Sequence, residues 1–82
     1  MYFNIDPSLI DYINYYEEDL AGDCHLITDA SLIDTHANSA DVYLKNGKVC
    51  EVSGSFFVSL IKDKFMAYQY ERLLTDEEFL YA

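Results

Sequence analysis

Four side chains in this sequence, Cys24, His25, His36 and Cys50, are of the types that hold metals or act as nucleophile and base. Structural zinc sites pair their ligands at short spacings such as C-x2-C or H-x3-H. Here Cys24 and His25 are adjacent, so on a strand they point to opposite faces. A nucleophilic pair of Cys24 or Cys50 with His36 needs a neighbour that depresses the thiol pKa. Near Cys24 there is no Lys or Arg to do so. No D-x-D-x-D-G run marks a calcium loop, and glycines 22, 47 and 54 are too scattered to cradle a phosphate. Carboxylates are so frequent that their pairing says nothing about acid–base catalysis. The expectation is no catalytic residue, no metal, no cofactor and no enzymatic activity.

Charge carries more information. The net charge is −10, and residues 1–44 hold nine acids with no Lys or Arg, whereas residues 45–82 hold six acids and all five bases. A field of one sign opposes compaction by self-repulsion, and solubility alone needs a net charge of only about 2–8 in magnitude. An acidic half of this kind implies a basic partner. It repels a phosphate backbone, so direct nucleic-acid binding is disfavoured. No run reaches the roughly 18 apolar residues of a membrane span, so no membrane partner is expected. The N-terminal residues show no basic n-region or apolar h-region. Two cysteines are too few for a disulfide scaffold, so both are expected as reduced, mostly buried thiols in the cytoplasm.

The elements that would present these charges follow from local pattern. Tyr2–Ile5 reads as a short strand. Asp6 and Pro7 read as the cap and first position of a helix over about 7–21, with Leu9, Ile10, Ile13, Tyr16 and Leu20 on one face and Gly22 closing it. Glu17, Glu18 and Asp19 sit badly near the C-terminal end of such a helix, where the macrodipole disfavours anions by about 0.3–1 kcal/mol each. Cys24–Thr28 suits a strand and Asp29–His36 a short helix capped by Asp29. Asp41–Lys45 and Lys48–Val52 flank Asn46-Gly47, the signature of a hairpin with a type I′ turn. Residues 56–74 fit a helix better than a strand pair. Thr75-Asp76-Glu77-Glu78 has the form of a capping box opening a last short helix. No internal repeat or linker is apparent. The expected fold is a single α+β domain over residues 1–82, about 12 Å in radius of gyration. Its N-terminal helix packs on a short antiparallel sheet containing the Asn-Gly hairpin, with one or two further helices.

On such a helix, acids on successive turns stand about 5–6 Å apart, close to the phosphate spacing of nucleic acid. Tyr12, Tyr15 and Tyr16 beside them add a residue type enriched at binding hot spots. The expected contact set is therefore Asp11, Tyr15, Glu17, Glu18, Asp19, Asp23, Asp29 and Asp34. In size, acidity and lack of catalytic signature the chain resembles the small proteins with which bacterial viruses block host nucleases and other DNA-binding defence proteins. That resemblance is one of composition, without a shared motif. It implies a DNA-mimicking inhibitor, of the anti-CRISPR or anti-restriction kind. Such an inhibitor would occupy the nucleic-acid site of a basic nuclease or CRISPR effector in the host cytoplasm. The alternative is an immunity protein or antitoxin against a cognate basic toxin nuclease. A homodimer is compatible with either.

Overall fold

The computed structural model describes residues 5–81 in backbone and 5–74 in side chain; the strand expected at Tyr2–Ile5 falls almost wholly outside them. The hexapeptide pattern Asp-x-Ser-Leu-Ile-Asp occurs at 6–11 and again at 29–34, a short repeat that corrects the expectation of none. Both copies fold the same first turn. Asp6 accepts from the Ser8 N–H at 2.9 Å and its hydroxyl at 2.8 Å, capping a 3-10 turn at Pro7–Leu9. Asp29 does the same with Ser31 at 3.0 and 2.8 Å, capping Ala30–Leu32. These bonds hold both carboxyls below the usual carboxylate range; the Ser8 N–H is the larger cause at Asp6 and the Ser31 hydroxyl at Asp29.

Beyond that turn the copies diverge. The second runs into one turn of helix, α1 (Ile33–His36). The first leaves the helical path at once and becomes β1 (Ile10–Glu18). The helix expected over 7–21 is therefore absent, and only its cap is real. Ile-Asp-Tyr-Ile-Asn-Tyr-Tyr is rich in β-branched and aromatic residues, which pack well on a pleated surface, and β3 (Ser39–Leu44) offers β1 a partner along almost its whole length. A bulge at Asp11, between the pairs Ile10↔Leu44 and Tyr12↔Tyr43, shifts the alternation by one residue. Ile10, Ile13 and Tyr15 consequently all face the core.

Four antiparallel strands form one sheet in the order β2-β1-β3-β4, with β2 at Cys24–Leu26 and β4 at Val49–Ser53. β3 and β4 join through Lys45 to Lys48, with three residues, Lys45 to Gly47, between the bonded pair Leu44 and Lys48. The Leu44 N–H donates to Lys48 O at 2.8 Å and the Gly47 N–H to Leu44 O at 3.0 Å. A type I′ turn would require positive φ at Asn46 as well as at Gly47. Among the described residues, however, only glycines have positive φ, and Gly47 lies at 90°. The turn is thus of the bulged kind, and the register moves by one: Tyr43 pairs with Val49 and Val42 with Cys50. A two-residue turn would have turned Glu51 into the core; the observed one buries Val52 and turns Glu51 outward.

Covering one face of this sheet is α2 (Ser55–Tyr81), 27 residues long. Gly54, at φ 98°, turns the chain from β4 into it. The Gly54 N–H donates to Asn38 O at 2.8 Å, and Asn38 Oδ1 accepts from the Glu18 N–H at 2.9 Å, so one asparagine ties the helix start to the end of β1. Val58, Ile61 and Phe65 recur at helical spacing and close the core with Ile10, Ala37, Ala40, Val42 and Val52. No break occurs at Thr75, so the separate C-terminal helix expected there is the continuation of α2; the capping-box side chains lie outside the described ones. A helix of this length spans about 40 Å, and among the residues whose side chains are described its last buried one is Phe65. Its second half therefore projects beyond the sheet. That overhang explains principal extents of 54 × 26 × 21 Å and a radius of gyration of 14.4 Å, above the expected value.

Candidate functional site

The sheet face that α2 does not cover is built by the register just described. Reading across the strands, Cys24 stands beside Glu18, and Leu26, Tyr16, Ser39 and Ser53 form the next row. Asn14, Asp41 and Glu51 follow, then Tyr12, Tyr43 and Val49. Tyr12 and Tyr43 stack with ring centroids 4.4 Å apart and 12° between planes. Leu26, Tyr12 and Val49 are about half exposed, at 50, 47 and 49%, more than an ordinary sheet face needs. A concavity of about 650 Å³ runs over this face between Tyr16, Glu18, Cys24, Asp41, Glu51 and the start of α2. Partial burial of the Tyr16 ring and the Asp41 carboxylate beside it raise the Tyr16 phenol pKa.

Three carboxylates, Glu18, Asp41 and Glu51, share this face. None of the five bases occupies a strand position: Lys45 and Lys48 belong to the β3–β4 turn, and Lys62, Lys64 and Arg72 to α2. Asp41 and Glu51 are direct cross-strand partners. Like charges placed opposite one another destabilise a sheet by roughly 0.2–1 kcal/mol. Fold stability does not account for that pair.

The contact set expected from sequence is only partly brought together. Glu17, Glu18, Asp19 and Asp23 gather at the β1–β2 turn, although Glu17 points to the helix side, with Glu17 Oε2 3.9 Å from His36 Nδ1. Asp19 is committed to the turn itself. Its carboxylate accepts from the Ala21 and Asp23 N–H groups at 2.9 and 3.0 Å and lies 2.7 Å from His25 Nε2. The His25 contact, then the Asp23 N–H, hold its carboxyl below the ordinary range. Asp29 is the cap of its 3-10 turn. Asp34 is paired with Lys62 at 2.9 Å, a lysine also 3.4 Å from Asp63. Hydrogen bonding to Asp34, the largest cause, raises the Lys62 pKa. Asp11, at the opposite end of β1, faces a cleft with Lys45 and Arg72. No row of carboxylates on a helix forms, because the segment is a strand and its neighbouring side chains alternate.

Tyr15 faces the core and not a partner, and burial pushes its phenol up to about 12. An unfolded tyrosine ionises near pH 10. The raised folded value means this contribution to stability is complete below pH 10 and is lost as pH rises from 10 to 12. Because the ring is only half-buried, solvent screening reduces the loss to about 1–2 kcal/mol. Urea unfolding of Tyr15→Phe and the parent chain at neutral and alkaline pH measures it: the parent should lose that much more. Equal losses in the two proteins would contradict this assignment.

Cys24 is exposed and Cys50 half-buried, and both are free. The expectation of mostly buried thiols therefore fails at Cys24, which the register turns outward beside Glu18. His36 lies on the other side of the sheet, near Glu17. Among the described residues no group of three or more His, Cys, Asp or Glu is placed to hold a metal ion, and no helix is long and apolar enough to cross a membrane. Tyr43, Asp41 and Glu51, on strands expected from the Asn-Gly hairpin pattern, were absent from the expected contact set. Period-two alternation through Tyr12, Asn14, Tyr16 and Glu18 was the signal that would have joined them to β1. The chain matches no protein-family model, no curated protein and no solved structure.

Proposed function

We propose that this protein acts by binding and not by catalysis, docking its open sheet face on the basic nucleic-acid-binding surface of another protein, such as a nuclease or CRISPR effector. The observation that supports this reading is the Asp41–Glu51 pair: two carboxylates held opposite each other on a face with the exposed Tyr12 and the half-buried Tyr16 and Tyr43, and with no Lys or Arg at any strand position. Charges facing outward at some cost to the fold are the pattern of a surface selected for a partner. Long-range attraction speeds encounter toward 10⁸ M⁻¹s⁻¹ or more, roughly, at low salt, and the aromatic rows supply the contact that holds. The phosphate-like helical row is not part of this proposal; carboxylates on adjacent strands take its place.

Two readouts of Glu51→Lys test it. The substitution replaces a repulsive cross-strand pair by an attractive one, so the fold should gain about 0.5–1 kcal/mol. Affinity for a basic partner captured at low salt, and competed by DNA or RNA, should fall by at least about 10-fold. A variant that is more stable and binds equally well would place the partner elsewhere.

A further inference from the structure

The register of the hairpin leaves one row of backbone groups without a partner. The Leu44 N–H donates to Lys48 O and the Gly54 N–H to Asn38 O, both at 2.8 Å. Between these ends Val42 pairs with Cys50 and Ala40 with Val52. Bonded pairs alternate along an antiparallel ladder, so Lys48, Cys50, Val52 and Gly54 turn their backbone groups toward β3. Val49, Glu51 and Ser53 turn theirs away from it. β4 ends the sheet, and among the described residues no hydrogen bond reaches the N–H or C=O of these three. All three are exposed. Glu51 and Ser53 also line the concavity over the open face, which therefore runs out to this edge. The opposite edge, β2, is only three residues long, a short form that blunts an edge against further pairing. β4 has five residues, no proline and no shift of register.

Unpaired groups at this spacing fit another extended chain, which adds to a sheet edge by main-chain hydrogen bonds and is selected through its alternate side chains. The residue placed directly opposite Glu51 stands about 4.5–5.5 Å from it between Cβ atoms. Among the described residues the Glu51 carboxylate has no hydrogen bond or ion pair. Asp41 stands beside it, one strand further in. Lys48, the nearest base along the edge, belongs by alternation with Cys50 and Val52 on the other face. An acid opposite Glu51 would add a third like charge; a Lys or Arg there pairs with it. A second copy of β4 is disfavoured on the same ground, because the register that engages all three residues sets Glu51 opposite Glu51.

We propose that the basic partner adds an extended segment, with Lys or Arg at alternate positions, to the outer edge of β4 as a fifth strand of the sheet. This attachment rests on the basic partner proposed above and supplies its mode of contact. The backbone of Val49, Glu51 and Ser53 holds the segment, and the Glu51 carboxylate selects its charge.

A blocked peptide of alternating Lys and Val, about eight residues long, probes the edge, with amide hydrogen exchange of the isotope-labelled full chain as the readout. In the free chain the amides of Val49, Glu51 and Ser53 should exchange fast and those of Cys50 and Val52 slowly. The peptide should bind on the order of 100 µM and slow the first three. N-methylation of its Lys residues removes the N–H groups that face β4 and keeps the charge; it should weaken binding at least about 10-fold. N-methylation of its Val residues, on the far edge, should cost less than about 3-fold. Replacing Lys by Glu should abolish binding. No binding below about 1 mM, or equal binding by the Lys-methylated peptide, overturns strand addition and leaves a basic partner on the open face intact. Equal binding by the Lys and Glu peptides overturns the charge selection, and with it the reading on which the attachment rests. Slow exchange of Val49, Glu51 and Ser53 in the free chain also overturns it. If that slowing is independent of protein concentration, the chain's own first residues cover the edge; if it grows with concentration, a second copy does.

Discussion

Replacing Glu18, Asp41 and Glu51 together by lysine should leave a folded protein whose affinity for its basic partner is lower by at least about 100-fold. Each reversal converts one attraction into a repulsion, and the three together amount to about 3–4 kcal/mol at low salt. Folding should survive, because Glu18 and Glu51 are exposed, Asp41 is only half-buried and none belongs to the core. Asp11→Lys is the matched control. It makes the same change of charge at the far end of β1, where Asp11 already faces Lys45 and Arg72, and should cost less than about 3-fold. Isothermal titration at two salt concentrations measures both. Retained affinity in the triple variant, or an equal loss in the control, would exclude the open sheet face as the contact.

Ile61→Ala should remove about 2–5 kcal/mol of stability. Ile61 is fully buried in the first half of α2, in one core cluster with Val58, Val42 and Ile10, where the surroundings can collapse only partly into the space it leaves. A domain of this size has about 4–12 kcal/mol in total, so the loss is a large fraction of its stability. Leu73→Ala, further along the same helix where the side chain is 58% exposed, should change stability by less than about 0.5 kcal/mol. Guanidinium titrations followed by far-UV circular dichroism distinguish them. Similar midpoint shifts would mean that the overhang is held to the body by contacts of core quality.

Local chemistry was legible in the residues. Asp6 and Asp29 cap the turns after them because a short acceptor before Pro-Ser or Ala-Ser meets the nearest N–H whatever the remaining chain does. The continuation was not legible, and the hexapeptide pattern shared by 6–11 and 29–34 shows why. Nearly the same residues become a strand in one place and a helical turn in the other, according to whether a partner strand is in reach. In residues 9–20 both periodicities were available. Leu9, Ile13, Tyr16 and Leu20 fit a helix, whereas Ile13 with Tyr15, and Tyr12 with Tyr16, fit a strand. The three acids ill-suited to a helix C-terminus were the local sign that the second pattern held. The face of Glu51 depended on a single dihedral, at Asn46, which sequence cannot specify. The charge bias was correctly a property of composition, but its geometry followed strand register, and strand register is a long-range quantity.

The pairing of β1 with β3, which joins Tyr16 to Ser39 at one end and Ile10 to Leu44 at the other, also sets an order of assembly. Closing so wide a loop before any contact rewards it costs on the order of 3 kcal/mol of chain entropy, whereas β3 and β4 meet across three residues. Kinetically, then, the Ser39–Ser53 ribbon and the adjoining helix are expected to form first, and the N-terminal strand to dock late. Substitutions at Val52 should slow refolding, while those at Ile13 should chiefly hasten unfolding, and stopped-flow chevrons showing the reverse would contradict that order.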